Sequence, residues 1–214
     1  MRLTLPALPR RAVLAVALVL ATPLLAARPA AAANVAEDFV GTNIHKGLEI
    51  LNNKKLSTVQ RRDQFETLLL SLVDTKRIAL FTLGQYRRGA SQADQDAFAA
   101  AFKNYAVAAY QSYFARYSGQ TLKVIGSTQP RPTDYIVNTQ LVDPGSSQPP
   151  LQVDFRVRTD NGSPVLVDVS VSGIWLSLEE RDQFVAFLGQ NGGNIRTLIA
   201  HLSDLAANLS KPAP

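Results

Sequence analysis

Residues 151–188 read LQVDFRVRTDNGSPVLVDVSVSGIWLSLEERDQFVAFL, and this segment contains signals for two strands, a tight turn and a helix. Apolar and polar residues alternate from Leu151 to Arg158, and valine recurs at every second position from Val165 to Val171. A period of two is typical of a strand with one buried face. Asn161-Gly162 between the two runs is a hairpin turn signal. Ser177-Leu178-Glu179-Glu180 is a capping box, which predicts a helix from Leu178.

The predicted hairpin presents one row of apolar side chains on a single face of its sheet. The row consists of Val153, Phe155, Val157, Val167, Val169 and Val171. One interpretation is an ordinary core under covering helices. The other is a cavity for an apolar ligand, left where the layers do not close fully. The residue pattern is the same in both cases, so the row by itself leaves the choice open.

The rest of the chain places helices before and after a run of strands. Apolar residues at helical spacing predict helices over 35–52, 57–72, 75–83, 91–117, 178–189 and 194–209. Alternating residues predict strands over 121–128, 134–142, 151–158 and 165–172. This order predicts a segregated α+β fold, in which an antiparallel four-stranded sheet is covered by N-terminal and C-terminal helices.

The first 33 residues have the composition of a secretory signal peptide. Three arginines lie within the first 11 residues, an apolar run follows from Ala12 to Ala21, and three alanines precede Asn34. A cleavable signal has this order of regions, and the apolar run is short for a membrane span. We therefore expect export and a first mature residue near Asn34, with a single domain over 34–209 and a tail over 210–214. The alternative is a signal that is retained as an anchor.

The basic character of the chain belongs largely to this N-terminal segment. The chain has 22 Lys and Arg against 17 Asp and Glu, and residues 1–33 contain four of the arginines and no acidic residue. Residues 34–214 therefore keep 18 basic and 17 acidic side chains. Their basic residues occur in pairs such as Arg61-Arg62 and form no stripe, so we expect no nucleic-acid partner. The sequence has no cysteine, which excludes disulfides.

Residues that could carry out catalysis are sparse. The two histidines, His45 and His201, have no base or ligand at motif spacing, and the usual hydrolase, zinc and phosphate-loop motifs do not occur. The polar face of the hairpin carries Asp154, Asp168, Arg156 and Arg158. We interpret these four residues as cross-strand ion pairs, not as an acid–base pair. We expect no enzyme, no metal and no cofactor. The alternatives are a small-molecule enzyme on a layered fold and a structural adaptor of the cell envelope.

Several short motifs occur in the order and spacing of a known family. They are Arg77-Ile78-Ala79, Leu83-Gly84, Tyr86-Arg87, Ser91, the aromatic positions Phe98, Phe102, Tyr110 and Tyr117, the run Val167–Gly173, Arg181-Asp182-Gln183-Phe184, Gly192-Gly193 and Leu198-Ile199. On these residues, the chain resembles the MlaC and toluene-tolerance family of periplasmic lipid-binding proteins over nearly all of residues 34–209.

Three positions depart from the pattern of the lipid-asymmetry members of that family. Ser163-Pro164 stands where those members usually have a tryptophan before the fourth strand, and Tyr86 stands where a tryptophan is common. Gly173-Ile174-Trp175-Leu176 looks more like the hopanoid-associated branch, which is called HpnM. The resemblance therefore leaves two ligand classes open, a phospholipid and a hopanoid.

The resemblance implies a periplasmic shuttle that carries lipid tails in a cavity between sheet and helices. The implied partners are an inner-membrane ABC transporter complex and, as a further candidate, an outer-membrane component. We expect the shuttle itself to be a monomer.

Candidate ligand contacts follow from the same resemblance. The apolar row of the sheet forms one wall, and the helices contribute Ile78, Phe81, Phe102 and Tyr105. Trp175 is a candidate for the cavity rim, with an ordinary core anchor as the alternative. Arg87 and Arg88 are candidates for contact with a head-group phosphate, with solvated loop charges as the alternative.

Overall fold

The computed structural model describes residues 34–114 and 117–210 of the chain. Its elements in chain order are α1 (Val35–Asn52), α2 (Thr58–Leu72), α3 (Thr75–Thr82), a 3-10 helix (Gly84–Gly89), α4 (Gln92–Phe114), β1 (Thr121–Arg131), β2 (Asp134–Val142), β3 (Leu151–Arg158), β4 (Val165–Val171), β5 (Ile174–Trp175), α5 (Leu176–Gln190) and α6 (Ile195–Leu209). The predicted signal peptide, residues 1–33, and residues 211–214 of the predicted tail lie outside the described residues.

The strands form one antiparallel sheet in the order β1-β2-β3-β4-β5. The predicted α+β class is confirmed, but the prediction of four strands is wrong by one. The additional strand, β5, is two residues long and pairs with the end of β4. The turn between them has positive φ at Ser172 (51°) and Gly173 (83°), which is the backbone geometry of a tight hairpin turn.

A β-bulge interrupts the predicted apolar row in β4. Phe155 lies opposite Val169, but Val157 lies opposite Leu166, so the register shifts between these pairs. An inserted residue changes which face the following side chains occupy. Val169 and Leu166 therefore share the apolar face of β3, whereas Val167 lines a pocket with arginines of the polar face. The prediction of one continuous valine row is wrong at Val167.

Side-chain caps set the starts of five helices. In α4 the cap is Ser91, whose hydroxyl oxygen accepts a hydrogen bond from the backbone N–H of Asp94 at 3.1 Å. The capping residues of α1, α2, α3 and α6 are Asn34, Ser57, Asp74 and Asn194, and each accepts a hydrogen bond from a backbone N–H of the first turn. The predicted capping box at Ser177 is wrong, because α5 begins at Leu176. The Ser177 hydroxyl and backbone N–H both donate to the buried carboxylate of Asp168 on β4, so a neighbouring strand supplies the cap.

Two apolar clusters hold the elements together. The first lies between α1, α2 and the sheet, and it contains Ala36, Val40, Val137, Val157 and Leu166. The second lies among α3, α4, α5 and α6, and it contains Ala79, Leu83, Phe98, Ala101, Phe102, Phe184, Leu188, Ile195, Leu198 and Leu202. Within residues 34–114 and 117–210, no helix is both long enough and apolar enough to cross a membrane.

Candidate functional site

An apolar cavity of about 200 Å³ lies between the sheet and the first two helices. Its lining residues are Phe39, Val40, Asn43, Ile44, Gly47, Leu48 and Leu51 from α1, Phe65, Leu68, Leu69 and Leu72 from α2, Tyr117, Gln120, Thr121, Leu122 and Leu141 from the segment after α4 and from β1 and β2, and Phe155 and Leu166 from β3 and β4. None of these residues carries a formal charge. The cavity therefore suits an uncharged, apolar ligand group.

The walls of the cavity follow from the helical period of α1 and α2. Residues 40, 44, 47, 48 and 51 recur at intervals of three and four, as do residues 65, 68, 69 and 72, so each set lies along one face of its helix. The sheet supplies the floor, because Leu122, Leu141 and Phe155 lie on the face that α1 and α2 cover. The cavity is thus the space left between the sheet and the layer formed by α1 and α2.

The polar side chains at one end of the cavity already have partners within the protein. The Tyr117 hydroxyl donates to Asn52 Oδ1 at 3.2 Å, and Gln120 Nε2 donates to Asp143 Oδ2 at 3.1 Å. These two bonds connect the start of β1 to the ends of α1 and β2. The lining consequently offers a ligand mainly dispersion contacts and exclusion of water.

The structure places the predicted sheet wall on the cavity side of the sheet, apart from Val167. Phe155 lines the cavity directly. The other members on that face, by register, are Val153, Val157, Val169 and Val171. Val157 is fully buried in the core cluster under α1, so its side chain packs against protein.

The predicted helix wall lies elsewhere. Phe102 is buried in the core of α3–α6, and Ile78 and Tyr105 pack against that core. None of these three residues lines the cavity. Phe81 is 40% exposed and lines a second, basic pocket. Trp175 is half-buried in β5, opposite Ser170.

Arg87 and Arg88 lie in the same basic pocket as Phe81, and that pocket shares no lining residue with the apolar cavity.

The apolar faces of α1 and α2, which line the cavity, are visible in the sequence as stripes at helical spacing. A single sequence does not indicate which helices cover the apolar face of the sheet, so it identifies these stripes as buried helix faces and not as ligand contacts.

Tyr105 participates in a polar contact inside the helical core. Its hydroxyl donates to Glu180 Oε1 at 3.0 Å. The second carboxylate oxygen, Oε2, is buried and has no hydrogen-bond partner among the described residues. Burial raises the pKa of Glu180, and the Tyr105 hydrogen bond opposes that rise.

The polar face of the sheet carries the predicted type of ion pair, but with a different carboxylate. Arg156 donates to both carboxylate oxygens of Asp134, at 2.9 and 2.6 Å, and Arg158 Nη1 lies 3.7 Å from Asp134. Asp154 and Asp168 accept hydrogen bonds from uncharged donors instead. The Arg156 guanidinium holds the pKa of Asp134 below its usual range. The pair therefore fastens β2 to β3.

No metal-binding cluster is present in the described part of the chain, since no three His, Cys, Asp or Glu side chains there are grouped closely enough to hold an ion. The lining of the apolar cavity carries no charged side chain.

Two comparisons with known proteins bear on the fold and the family of this chain. The fold is similar to that of a phospholipid-binding protein from Ralstonia solanacearum, whose structure was solved in complex with a phospholipid. The TM-score is 0.68 with 22% sequence identity, and the match covers 83% of this chain and 100% of the other. At this identity the likeness shows a shared fold. The family model of the MlaC protein matches residues 42–204. Since that match spans most of the chain, the protein belongs to the MlaC family.

Proposed function

We propose that this protein is a periplasmic lipid carrier that holds the acyl tails of a phospholipid in the cavity between α1, α2 and the sheet. The observation that carries the proposal is the apolar lining of that cavity, to which α1, α2 and four strands contribute. Membership of the MlaC family and the phospholipid-binding relative of the same fold support a lipid ligand.

The energetics of lipid transfer explain why such a cover is needed. Two acyl chains expose about 30 methylenes to water, which costs on the order of 24 kcal/mol at ~0.8 kcal/mol per methylene. Spontaneous passage of a lipid through an aqueous compartment is correspondingly slow. A protein that surrounds the tails with apolar side chains and leaves the head group in water removes most of this cost.

The size of the cavity implies that it widens when lipid binds. Its volume of about 200 Å³ exceeds the 150 Å³ or so that accommodates benzene, but it is below the ~300–1,000 Å³ typical of ligand pockets. Part of one acyl chain fits without movement, and two chains do not. We propose that α2 moves outward, because none of its residues is buried and little packing is lost when it shifts.

Release of the lipid needs partners at the membranes. We propose that the carrier, as a monomer, exchanges lipid with an inner-membrane ABC transporter complex and with an outer-membrane component. The same movement of α2 would serve both the uptake and the release of lipid, because ligand binding only shifts an equilibrium between states that the protein already has.

The experiment that tests the proposal is native mass spectrometry of the protein exported from a bacterial host by its own N-terminal segment. Organic extraction and lipid identification follow on the same sample. We expect a folded monomer carrying one phospholipid. A hopanoid in its place would assign the chain to the hopanoid-associated branch. A folded, ligand-free protein that also takes up no lipid from vesicles would contradict the proposal.

A further inference from the structure

A second pocket of about 550 Å³ lies between α3, the 3-10 helix and α5, and all three of its charged lining residues are arginines. It is lined by Leu80, Phe81, Gly84, Arg87, Arg88, Gln95 and Arg181. Phe81 and Arg87 also line an adjoining depression on the polar face of the sheet. We call the set Phe81, Arg87, Arg88 and Arg181 the arginine pocket.

The three arginines of this pocket differ from the neighbouring ones in having no acidic partner in the described part of the chain. Arg77 pairs with Asp160 at 3.1 Å, and Arg156 pairs with Asp134. Across residues 34–114 and 117–210, no carboxylate lies within ion-pair distance of Arg87, Arg88 or Arg181. The side chains of Arg87 and Arg88 are exposed. The pocket is therefore an uncompensated positive site.

The local backbone is arranged to bring these arginines together. Gly84 begins the 3-10 helix with φ of +53°, and a β-carbon at this position would lie 2.7 Å from Val185 Cγ2 on α5. Only glycine permits this backbone to approach α5 so closely. The side chain of Gln95 then donates to the backbone oxygens of Arg87 and Ala90, at 3.3 and 3.1 Å, and this ties the turn to α4.

An exposed aromatic ring lies within the same site. The Arg181 guanidinium carbon is 5.3 Å from the centre of the Phe81 ring, which is a cation–π distance. Phe81 remains 40% exposed. Apolar surface rimmed by unpaired charge is typical of an interaction site, and arginine is the residue that binds carboxylates bidentately.

We propose that the arginine pocket is the docking site for an acidic segment of a partner protein, whose carboxylates pair with Arg87, Arg88 and Arg181 while an apolar side chain packs on Phe81. The concave shape favours a chain segment over a bilayer, because a flat surface contacts only the rim of a depression. The proposal rests on the proposed function in one respect, because a lipid carrier must be recognised by partner proteins at the membranes between which it moves. The pocket is separate from the apolar cavity, so docking and lipid loading are separate properties of the protein.

The test uses a fluorescein-labelled peptide in which glutamates flank a single leucine, titrated with the lipid-loaded protein. We expect binding that weakens as salt rises. The double variant Arg87→Gln, Arg181→Gln should bind at least about tenfold more weakly, a change of roughly 1.4 kcal/mol. The variant Phe81→Ala should also bind the peptide more weakly, although this substitution leaves the net charge of the protein unchanged. The charge-matched control is Lys54→Gln, Lys55→Gln, which removes two exposed positive charges outside the pocket and should bind like the wild type.

Four other outcomes would overturn the proposal, and each is recognisable. Equal loss in both double variants would mean attraction by net charge alone, and no loss in either would mean that the pocket takes no acidic segment. Loss of binding to phosphatidylglycerol vesicles, with peptide binding intact, would assign the pocket to a membrane surface. Loss of co-purifying lipid in the arginine variant would make it a head-group site. If the wild type carries no lipid but binds the peptide through this pocket, the proposed function fails and the docking site stands.

Discussion

Gly47 on α1 lies directly against the ring of Phe65 on α2, and a β-carbon added at Gly47 would be 2.8 Å from Phe65 Cε2. Both residues line the apolar cavity. The contact of the two covering helices at this point therefore depends on the absence of a side chain at Gly47. The Phe65 ring is in turn stacked on Tyr110 of α4, with ring centroids 5.4 Å apart.

This contact makes two glycines of the same helix respond differently to alanine. A β-carbon at Gly41 would lie 3.9 Å from Val124, which is an ordinary contact. Alanine in a helix interior is favoured over glycine by about 1 kcal/mol, so Gly41→Ala should raise the free energy of unfolding by roughly that amount. Gly47→Ala gains the same propensity but must displace the Phe65 ring, so it should gain less and bind less lipid. Equal stabilisation of the two variants in chemical denaturation would contradict the contact.

The ion pair between Asp134 and Arg156 should make stability fall in acid. Because the pKa of Asp134 is lowered in the folded protein, its contribution is present above the ordinary pKa of aspartate and is lost as the pH falls through the lowered value. Asp134→Asn should cost about 2 kcal/mol at neutral pH, the range for a hydrogen bond to a charged group, and should flatten the acid limb of the stability profile.

Asp160→Asn is the matched control for this prediction, since Asp160 pairs with Arg77 on the surface, where ion pairs contribute little. It should cost much less than Asp134→Asn. If denaturant titrations across the acid range gave the same profile for both variants, the pair between Asp134 and Arg156 would have no special role.

The contribution of Glu180 to stability should depend on pH in the opposite direction. Burial raises its pKa in the folded protein, so its contribution is most favourable below the ordinary glutamate pKa and is lost as the pH rises through the raised value. Glu180→Gln keeps an acceptor for the Tyr105 hydroxyl and removes the buried charge. It should therefore gain stability relative to the wild type at neutral pH, and the difference should shrink in acid. A pH-independent difference between Glu180→Gln and the wild type would refute the assignment.

Ser177 should matter for stability through the buried carboxylate of Asp168. Ser177→Ala removes the hydroxyl donor to Asp168 and leaves a buried acceptor with fewer partners, which costs about 1–3 kcal/mol. Ser203→Ala removes an exposed hydroxyl that donates to the backbone of α6 and should change stability little. Similar thermal midpoints for the two variants would argue against the capping of α5 by β4.

The sequence predicted the elements better than their mutual arrangement. The bounds of α1 and β2 match the prediction, because strong periodicity coincides there with an Asn34 cap and a proline-rich entry at Pro130 and Pro132. The bulge in β4 was missed, although Val165, Leu166 and Val167 are three consecutive apolar residues and already break the alternation. Two-residue β5 is too short for any periodicity to reveal.

The location of the cavity could not be predicted for a different reason. Phe102 and Ile44 both lie on apolar helix faces, yet Phe102 packs among helices and Ile44 faces the sheet. Which apolar stripe meets which partner is decided by tertiary packing, and a single sequence carries no record of that pairing. The same limit applies to the ion pair between Asp134 on β2 and Arg156 on β3, two residues that lie 22 positions apart in the sequence.

Lipid occupancy of two matched tryptophan variants tests the central claim most directly. Ile44 lines the cavity, whereas Ile125 on β1 is 51% exposed and does not. Ile44→Trp should fill the cavity with little strain, because the added ring enters existing empty space. The fraction of lipid-bound protein in native mass spectra should fall several-fold in Ile44→Trp and stay at the wild-type level in Ile125→Trp, with both variants folded by circular dichroism. A folded Ile44→Trp protein that carries as much lipid as the wild type would contradict the account.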